Sequence, residues 1–149
     1  MSKISFTYLP PNCDANFFGV NPSGTILATR GNSGQEIMFS GLKYEEITPF
    51  FVIKSIYWII CFCWHPTNPM IFFTGGGTMI TVHQIQKDYQ DGDAEENTSI
   101  VLGELDIGEP FDSILLNQKG DLLLVLIPEK THALLFRLCY ENGRSKNCR

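Results

Sequence analysis

A degenerate repeat is the feature that most constrains how this chain can fold. Three segments share one order: a short apolar run, a polar turn containing Gly, Pro or Asn, and a second apolar run. The segments are Asn16–Thr29, Ile59–Thr74 and Phe111–Val125. Matching turn positions recur at regular distances, with 44 residues from Pro22 to Pro66 and 52 from Pro66 to Gln118. The chain therefore contains three related units.

Each unit continues into a third apolar run that ends on a bulky side chain. These side chains are Phe39, His83 and Phe136, separated by 44 and 53 residues. A period near ~45 residues with several short strands per unit is typical of β-propeller blades. We therefore expect an all-β chain of about three four-stranded antiparallel blades of a β-propeller, partial or completed by association. The expected units are about 10–53, 54–107 and 108–149.

The apolar runs predict strands because they are short and apolar on both faces, as in Ile71–Phe73 and Leu122–Ile127. Runs of this kind, bounded by Gly, Pro or Asn, fit strands buried on both sides. No segment has the pattern of an amphipathic helix with caps. The expected strands are 4–9, 16–21, 25–30, 36–40, 46–53, 57–64, 70–74, 79–85, 98–105, 111–116, 121–127 and 132–138.

Three units are too few for a closed propeller, which has typically 4–8 blades. The third unit also lacks an obvious fourth strand, since the chain after Leu138 is polar, whereas Ile4–Leu9 is a strand without a unit. Ile4–Leu9 could pair with the third unit of another copy in a six-bladed dimer. Alternatively, the chain is the front part of a longer propeller protein, which the polar tail favours, or an open piece capped by another chain.

One segment departs from the repeat. Residues 88–97 are polar and include five carboxylates. They fall where the second unit is longer than the first, so they predict an acidic loop insertion exposed to solvent. The alternatives are a calcium site and a docking loop for a basic partner, but the spacing of Asp88, Asp91 and Asp93 does not match an EF-hand calcium loop.

Composition narrows the classes of function. The net charge of −5 and the pI near 5.1 do not favour a nucleic-acid binder. No run reaches the ~18–20 apolar residues of a membrane span, and the N-terminus lacks the apolar core of a signal peptide. Five cysteines form no disulfide framework, and three lie in strand-like runs where a free thiol packs as a small hydrophobe. We expect an intracellular protein, cytoplasmic or nuclear, without a membrane partner.

The second unit resembles a WD repeat. The resemblance rests on Trp64-His65-Pro66, on Phe72–Thr78 with its three glycines, and on Ile80–Ile85. His83 and Gln84 stand where the family has Trp and Asp, and Thr78 stands where the family has a turn Asp. The resemblance implies a β-propeller that binds other proteins. Because these substitutions remove family residues, it also implies that the family's side-chain network is not assembled.

We therefore expect a non-enzymatic scaffold for protein–protein interaction, acting as a WD-repeat-like subunit or adaptor of a multiprotein complex without a cofactor. The residues expected in partner-binding loops are Arg30, Asn32, Ser33, His65, Thr78, Glu129 and Lys130. One alternative is a metal- or thiol-dependent protein, because Cys61, Cys63 and His65 alternate onto one strand face. A second is weak nucleic-acid binding through Arg144, Lys146 and Arg149 of the basic tail.

Overall fold

A computed structural model describes residues 13–43, 46–86, 99–141 and 144–147. Strands dominate these ranges, with one turn of 3-10 helix at Pro128–Lys130. No helix in the described ranges has the length and apolar character that a membrane span requires. The strands are β1 Cys13–Val20, β2 Ile26–Gly31, β3 Glu36–Lys43, β4 Glu46–Lys54, β5 Cys61–Trp64, β6 Ile71–Gly76, β7 Met79–Ile85, β8 Ser99–Asp106, β9 Ser113–Leu116, β10 Leu122–Ile127, β11 His132–Glu141 and β12 Arg144–Asn147.

These strands form three antiparallel sheets, each a four-stranded meander in chain order. We call them blade 1 (β1–β4), blade 2 (β5–β8) and blade 3 (β9–β12). Consecutive strands of a blade are neighbours, and all of them except β7 and β8 are joined by six residues or fewer. The expectation of an all-β chain with three four-stranded antiparallel blades is confirmed.

The hydrophobic core consists of two layers between the blades. Between blades 1 and 2, Phe39 stacks on Phe51 at 4.4 Å and meets Phe72 edge-on at 5.1 Å between ring centroids. Between blades 2 and 3, buried Phe73 and Val82 pack in one cluster with Val125. All six residues of β6 are buried, because blade 2 is covered on both faces. This explains the run of three large apolar residues, Ile71–Phe73, with which β6 begins.

The fourth strand of blade 3 corrects the sequence interpretation. The chain after Leu138 was expected to form no fourth strand, but β11 continues to Glu141 and β12 pairs with it, Cys139 lying opposite Lys146. Backbone hydrogen bonds can hold a strand whatever its side chains are. The run 144–147 is polar, so a search for apolar runs did not find it. Blade 3 is thus completed within its own chain, and not by Ile4–Leu9 of another copy. Both Ile4–Leu9 and the acidic segment 88–97 lie outside the described residues.

The repeat register also needs one correction. In each blade, the second residue of the second strand lies opposite a residue of the third strand, and these partners are Ser40, His83 and Phe136. His83 therefore corresponds to Ser40, and the expected correspondence between Phe39 and His83 is wrong by one residue. Phe39 faces blade 2, whereas His83 faces blade 1 beside Phe72. The cause is a shorter turn between β6 and β7 than between β2 and β3.

The cysteines divide into two groups. Cys61 and Cys63 are free, as expected, and pack between blades 2 and 3. Cys139 in β11 is disulfide-bonded, which corrects its expected role as a free thiol.

Candidate functional site

The meander brings two sets of turns to opposite ends of the blades. Because strand direction alternates, the turn between the second and third strands of each blade lies at the same end as the connectors between blades. We call this end the connector face, and it contains residues 32–35, 55–60, 77–78, 107–112 and 128–131. The opposite end, the turn face, contains residues 21–25, 65–70 and 117–121.

Three large side chains are exposed on the connector face. Ile56, Tyr57 and Trp58 lie in the connector from β4 to β5, with 83%, 44% and 56% of their surfaces exposed. Single exposed apolar residues are ordinary, but three adjacent ones, two of them aromatic, make this connector a candidate binding surface. We call these three residues the aromatic connector.

Hydrogen bonds hold the backbone of the aromatic connector against the neighbouring turns. The Gln35 side chain donates to the carbonyl of Ile56 at 3.3 Å. The backbone N–H of Ile59 donates to Gly34 at 2.8 Å, and that of Ile60 donates to Gly75 at 2.9 Å. The connector is thus tied to blade 1 on one side and to blade 2 on the other.

Two glycines allow the connector to lie this close. A Cβ atom on Gly34, where φ is +74°, would lie 2.5 Å from the Trp58 ring. A Cβ atom on Gly76 would lie 2.5 Å from the Trp58 carbonyl oxygen. Real Cβ atoms do not approach other atoms so closely, so larger residues at these positions would displace the connector. The ring of Trp58 therefore lies flat on a turn while its other surface faces solvent.

Arg30 supports the aromatic connector from beneath. Its guanidinium donates to Asp14 at 2.6 Å and to the Ile59 carbonyl at 2.8 Å. It also lies 4.4 Å from the Phe17 ring centroid and 5.8 Å from that of Trp58. The planar guanidinium stacks on aromatic rings and at the same time donates two hydrogen bonds. A lysine ammonium could not make both kinds of contact. Arg30 therefore positions the connector.

Several carboxylates lie on the blade 3 side of the connector face. Asp106, Asp112 and Glu129 are exposed, and Glu109 forms an ion pair with Lys130 and lies 3.3 Å from the His132 ring. The hydrogen bond from Lys130 is the main cause that holds the pKa of Glu109 below its ordinary value. Hydrogen bonds from the Gly108 backbone and then from the Thr78 hydroxyl lower the pKa of Asp106. This side of the connector face is therefore negatively charged at neutral pH.

The fold brings six of the seven residues expected in partner-binding loops to the connector end. Arg30 lies at the end of β2 beneath the surface, and Thr78 is half-buried in the β6–β7 turn. The exposed members are Asn32, Ser33, Glu129 and Lys130.

His65 is the exception, because it lies on the turn face and is only 6% exposed. Its Nδ1 accepts the backbone N–H groups of Thr67 at 3.2 Å and Asn68 at 3.0 Å. Its ring also reaches blade 3, where it forms a hydrogen bond with the Gly120 backbone. Burial lowers the pKa of His65. The ring closes its own turn and joins two blades, which leaves little surface for a partner.

The two thiols considered for metal or thiol chemistry lie between blades 2 and 3, where burial disfavours their charged form. Burial raises the pKa of both Cys61 and Cys63 to about 12, so neither is a thiolate at neutral pH. The thiolate is the form that binds metals and attacks electrophiles. Among the described residues, no group of three or more His, Cys, Asp or Glu side chains is placed to hold a metal ion. The geometry favours packing over chemistry for these residues.

Sequence reasoning missed Ile56, Tyr57 and Trp58 as site residues. An expected strand over 57–64 placed the two aromatic residues in a buried sheet, but β5 begins only at Cys61. The polar pair Lys54-Ser55 was the available signal. The Ser55 hydroxyl accepts the Tyr57 N–H at 3.0 Å and so begins a turn.

Comparisons with known proteins bear on the fold. No family model matches the sequence, and no curated protein matches it. Among solved structures, a candidate 6-phosphogluconolactonase from Bacteroides fragilis superimposes with a TM-score of 0.71 at 10% identity, covering 95% of this chain and 39% of that one. Sqt1 of Saccharomyces cerevisiae gives a TM-score of 0.70 at 12% identity, covering 99% of this chain and 38% of that one.

A candidate 6-phosphogluconolactonase from Bacteroides uniformis is similar, with a TM-score of 0.69 at 9% identity over 87% of this chain and 38% of that one. The chain thus spans about two-fifths of the length of these structures. Likeness at such low identity carries the fold and not the chemistry. The architecture is that of three consecutive β-propeller blades.

Proposed function

We propose that this protein is a non-enzymatic scaffold that binds other proteins through its connector face, as a subunit or adaptor of a multiprotein complex. The observation that carries the proposal is the aromatic connector, Ile56–Trp58, which is exposed although its backbone is fixed. A rigid aromatic platform loses little conformational entropy when a partner docks. Trp and Tyr are also the residues that most often dominate binding energy at interfaces.

The chemistry around the connector suggests the kind of peptide that would dock. An apolar or aromatic anchor on the partner would cover Trp58 and Ile56. Basic residues flanking that anchor would meet the carboxylates of Asp106, Asp112 and Glu129, since complementary charge steers and orients association. The proposed ligand is therefore an extended segment with an apolar anchor and a basic flank.

We also propose that the blades are degenerate WD repeats. The support is the order Trp64-His65-Pro66 at the end of β5 and one buried link, Thr74 Oγ1 to His83 Nε2 at 2.9 Å. The sequence predicts that the side-chain network of WD repeats is not assembled here. This hydrogen bond would be one remaining part of that network. The other blades offer no equivalent, because Ser40 and Phe136 stand at the His83 position.

The proposed scaffold acts inside the cell, in the cytoplasm or nucleus. The disulfide at Cys139 argues against this location, because structural disulfides persist mainly in oxidising compartments and are rare in the cytoplasm and nucleus. Rapid acid quenching and alkylation of the protein in its own cells would decide the matter. Alkylated Cys139 supports the proposal, and an oxidised Cys139 would count against it.

Trp58→Ala tests the docking surface. Peptides would be selected from a displayed library of random linear sequences on the wild-type protein, and their affinities measured by calorimetry. We expect the selected peptides to be enriched in Lys and Arg beside an apolar anchor. We expect Trp58→Ala to weaken binding roughly 30-fold, the loss of one aromatic hot spot.

Gln118→Ala, an exposed position on the turn face, is the matched control and should leave affinity unchanged. Thermal unfolding of both variants confirms that the fold is intact. Peptides that bind the wild type and Trp58→Ala equally would place the binding surface elsewhere.

A further inference from the structure

Two buried hydroxyl groups of blade 1 lack a hydrogen-bond partner. Thr29 in β2 and Ser40 in β3 are both 0% exposed, and neither side-chain oxygen has a hydrogen-bond partner in the described part of the chain. Ser40 lies opposite Leu27, two residues before Thr29, so the two side chains are diagonal neighbours on one face of the sheet. Folded proteins pair nearly all such groups with protein atoms or with ordered water. The two hydroxyls therefore need a third group as their partner.

The other two blades show how the same pair of positions can be occupied. Each pair consists of the fourth residue of the second strand and the residue opposite the second residue of that strand. The pairs are Thr29 and Ser40, Thr74 and His83, and Val125 and Phe136. In blade 2, Thr74 Oγ1 and His83 Nε2 form a hydrogen bond of 2.9 Å, and in blade 3 both side chains are apolar. Blade 1 has two polar side chains here, as blade 2 does, but not the hydrogen bond between them.

The backbone supports the correspondence between Ser40 and His83. Pairing with the fourth strand shifts register between Phe39 and Ser40 in blade 1, and between Val82 and His83 in blade 2. A bulge at the same place bends the two sheets in the same way. The Ser40 side chain therefore leaves its sheet from the same position as the His83 ring and on the same face.

Side-chain length explains why blade 1 lacks the direct bond. The His83 ring extends across the sheet to the neighbouring threonine, whereas the Ser40 hydroxyl ends one bond beyond its Cβ and leaves Thr29 unpaired. A water molecule about 2.8 Å from the Ser40 oxygen would occupy roughly the place that the imidazole nitrogen occupies in blade 2. A buried water typically needs about two to four polar partners, and each hydroxyl can both donate and accept a hydrogen bond. The two hydroxyls supply two of these partners.

We propose that one buried water molecule bridges Thr29 and Ser40, and takes the place in blade 1 that the His83 imidazole takes in blade 2. Water is the ligand that fits, because both hydroxyls are fully buried and Leu27 beside them is only 4% exposed. A water bridge differs from the bond between Thr74 and His83 in having no group that titrates near neutral pH. The hydrogen bonds at this site therefore stay the same over the pH range in which buried His83 takes up its proton.

A high-resolution crystal structure of the wild-type chain tests the proposal. We expect a single water peak within hydrogen-bonding distance of both Thr29 Oγ1 and Ser40 Oγ. The double variant Thr29→Val with Ser40→Ala is the matched control, because it removes both hydroxyls with little change of shape, and its structure should show no water there. The proposal is overturned if the wild type has no such peak, if its hydroxyls bond protein atoms instead, or if the double variant keeps the water.

Ser40→His tests whether the water stands in for an imidazole. The new ring should displace the water and bond Thr29, as His83 bonds Thr74. A buried histidine takes up its proton at a lower pH than in the unfolded chain, so the stability of the variant should fall more steeply below about pH 6.5 than that of the wild type. Urea denaturation at a series of pH values should show about one further proton bound on unfolding near pH ~5, whereas Ser40→Gln should follow the wild type. Equal slopes for Ser40→His and the wild type would contradict the proposal, and the wild-type crystal structure decides it even if Ser40→His does not fold.

Discussion

Phe72→Ala should lower the free energy of unfolding by about 3–5 kcal/mol, the usual cost of emptying a buried Phe site. Phe72 is 0% exposed at the centre of the layer between blades 1 and 2. Its ring centroid lies 5.1 Å from that of Phe39, 5.2 Å from Phe62 and 5.0 Å from Trp64. These rings leave little freedom to collapse into the vacated space, because each also contacts other groups of the same layer.

Urea denaturation followed by circular dichroism measures the loss for Phe72→Ala. Since small domains are stable by only about 5–15 kcal/mol, the variant should be close to unfolding at room temperature. Ile56→Ala is the control, because an exposed apolar side chain contributes within about 0.5 kcal/mol. A loss below about 1 kcal/mol for Phe72→Ala would mean that blades 1 and 2 do not pack as described.

Acidification should destabilise the protein through His83. Burial lowers the pKa of His83 to about 4 from its ordinary value of 6.5. The unfolded chain therefore takes up a proton near pH 6.5, and the folded chain does so only near pH 4. The stabilising contribution of neutral His83 is complete above pH 6.5 and falls by about 1.4 kcal/mol per pH unit below it, to a total loss of about 3 kcal/mol.

His83→Gln isolates this contribution, because an amide can still bond the Thr74 hydroxyl and does not titrate. The unfolding free energies of wild type and variant, measured by urea denaturation from pH 7.5 to pH 4, should converge on the acid side. His65, whose pKa burial also lowers, remains in both proteins and cancels in the difference. Parallel curves would show that His83 is not held neutral in the folded state.

The sequence predicts a strand correctly where burial of the strand requires apolar side chains. Leu122–Ile127 is too short an apolar run for a typical helix and so predicts a strand, and β6 begins with three consecutive apolar residues because both of its faces are covered. Arg144–Asn147 was missed for the opposite reason, since an outermost strand needs only backbone partners. The correspondence of Phe39 with His83 failed by one residue because turn length differs between blades, and a one-residue shift moves a side chain to the other face.

The candidate site was harder to predict for a related reason. Asn32 and Thr78 could be placed because Gly-containing turns mark the ends of strands. Tyr57 and Trp58 have the composition of a buried strand, and only the fold shows that Gly34 and Gly76 leave room for them at the surface. His65 is the opposite case: the sequence suggests an exposed turn residue, but the ring is buried because it forms hydrogen bonds within its own turn.

Site-specific photo-crosslinking in cells tests the central claim, that the aromatic connector docks other proteins. A photoreactive phenylalanine analogue would replace Trp58 in one variant and Gln118, on the turn face, in another. The proposed function predicts discrete covalent adducts with other proteins from position 58 upon irradiation, and few or none from position 118. An absence of adducts at position 58, or equal adducts at both positions, would contradict it.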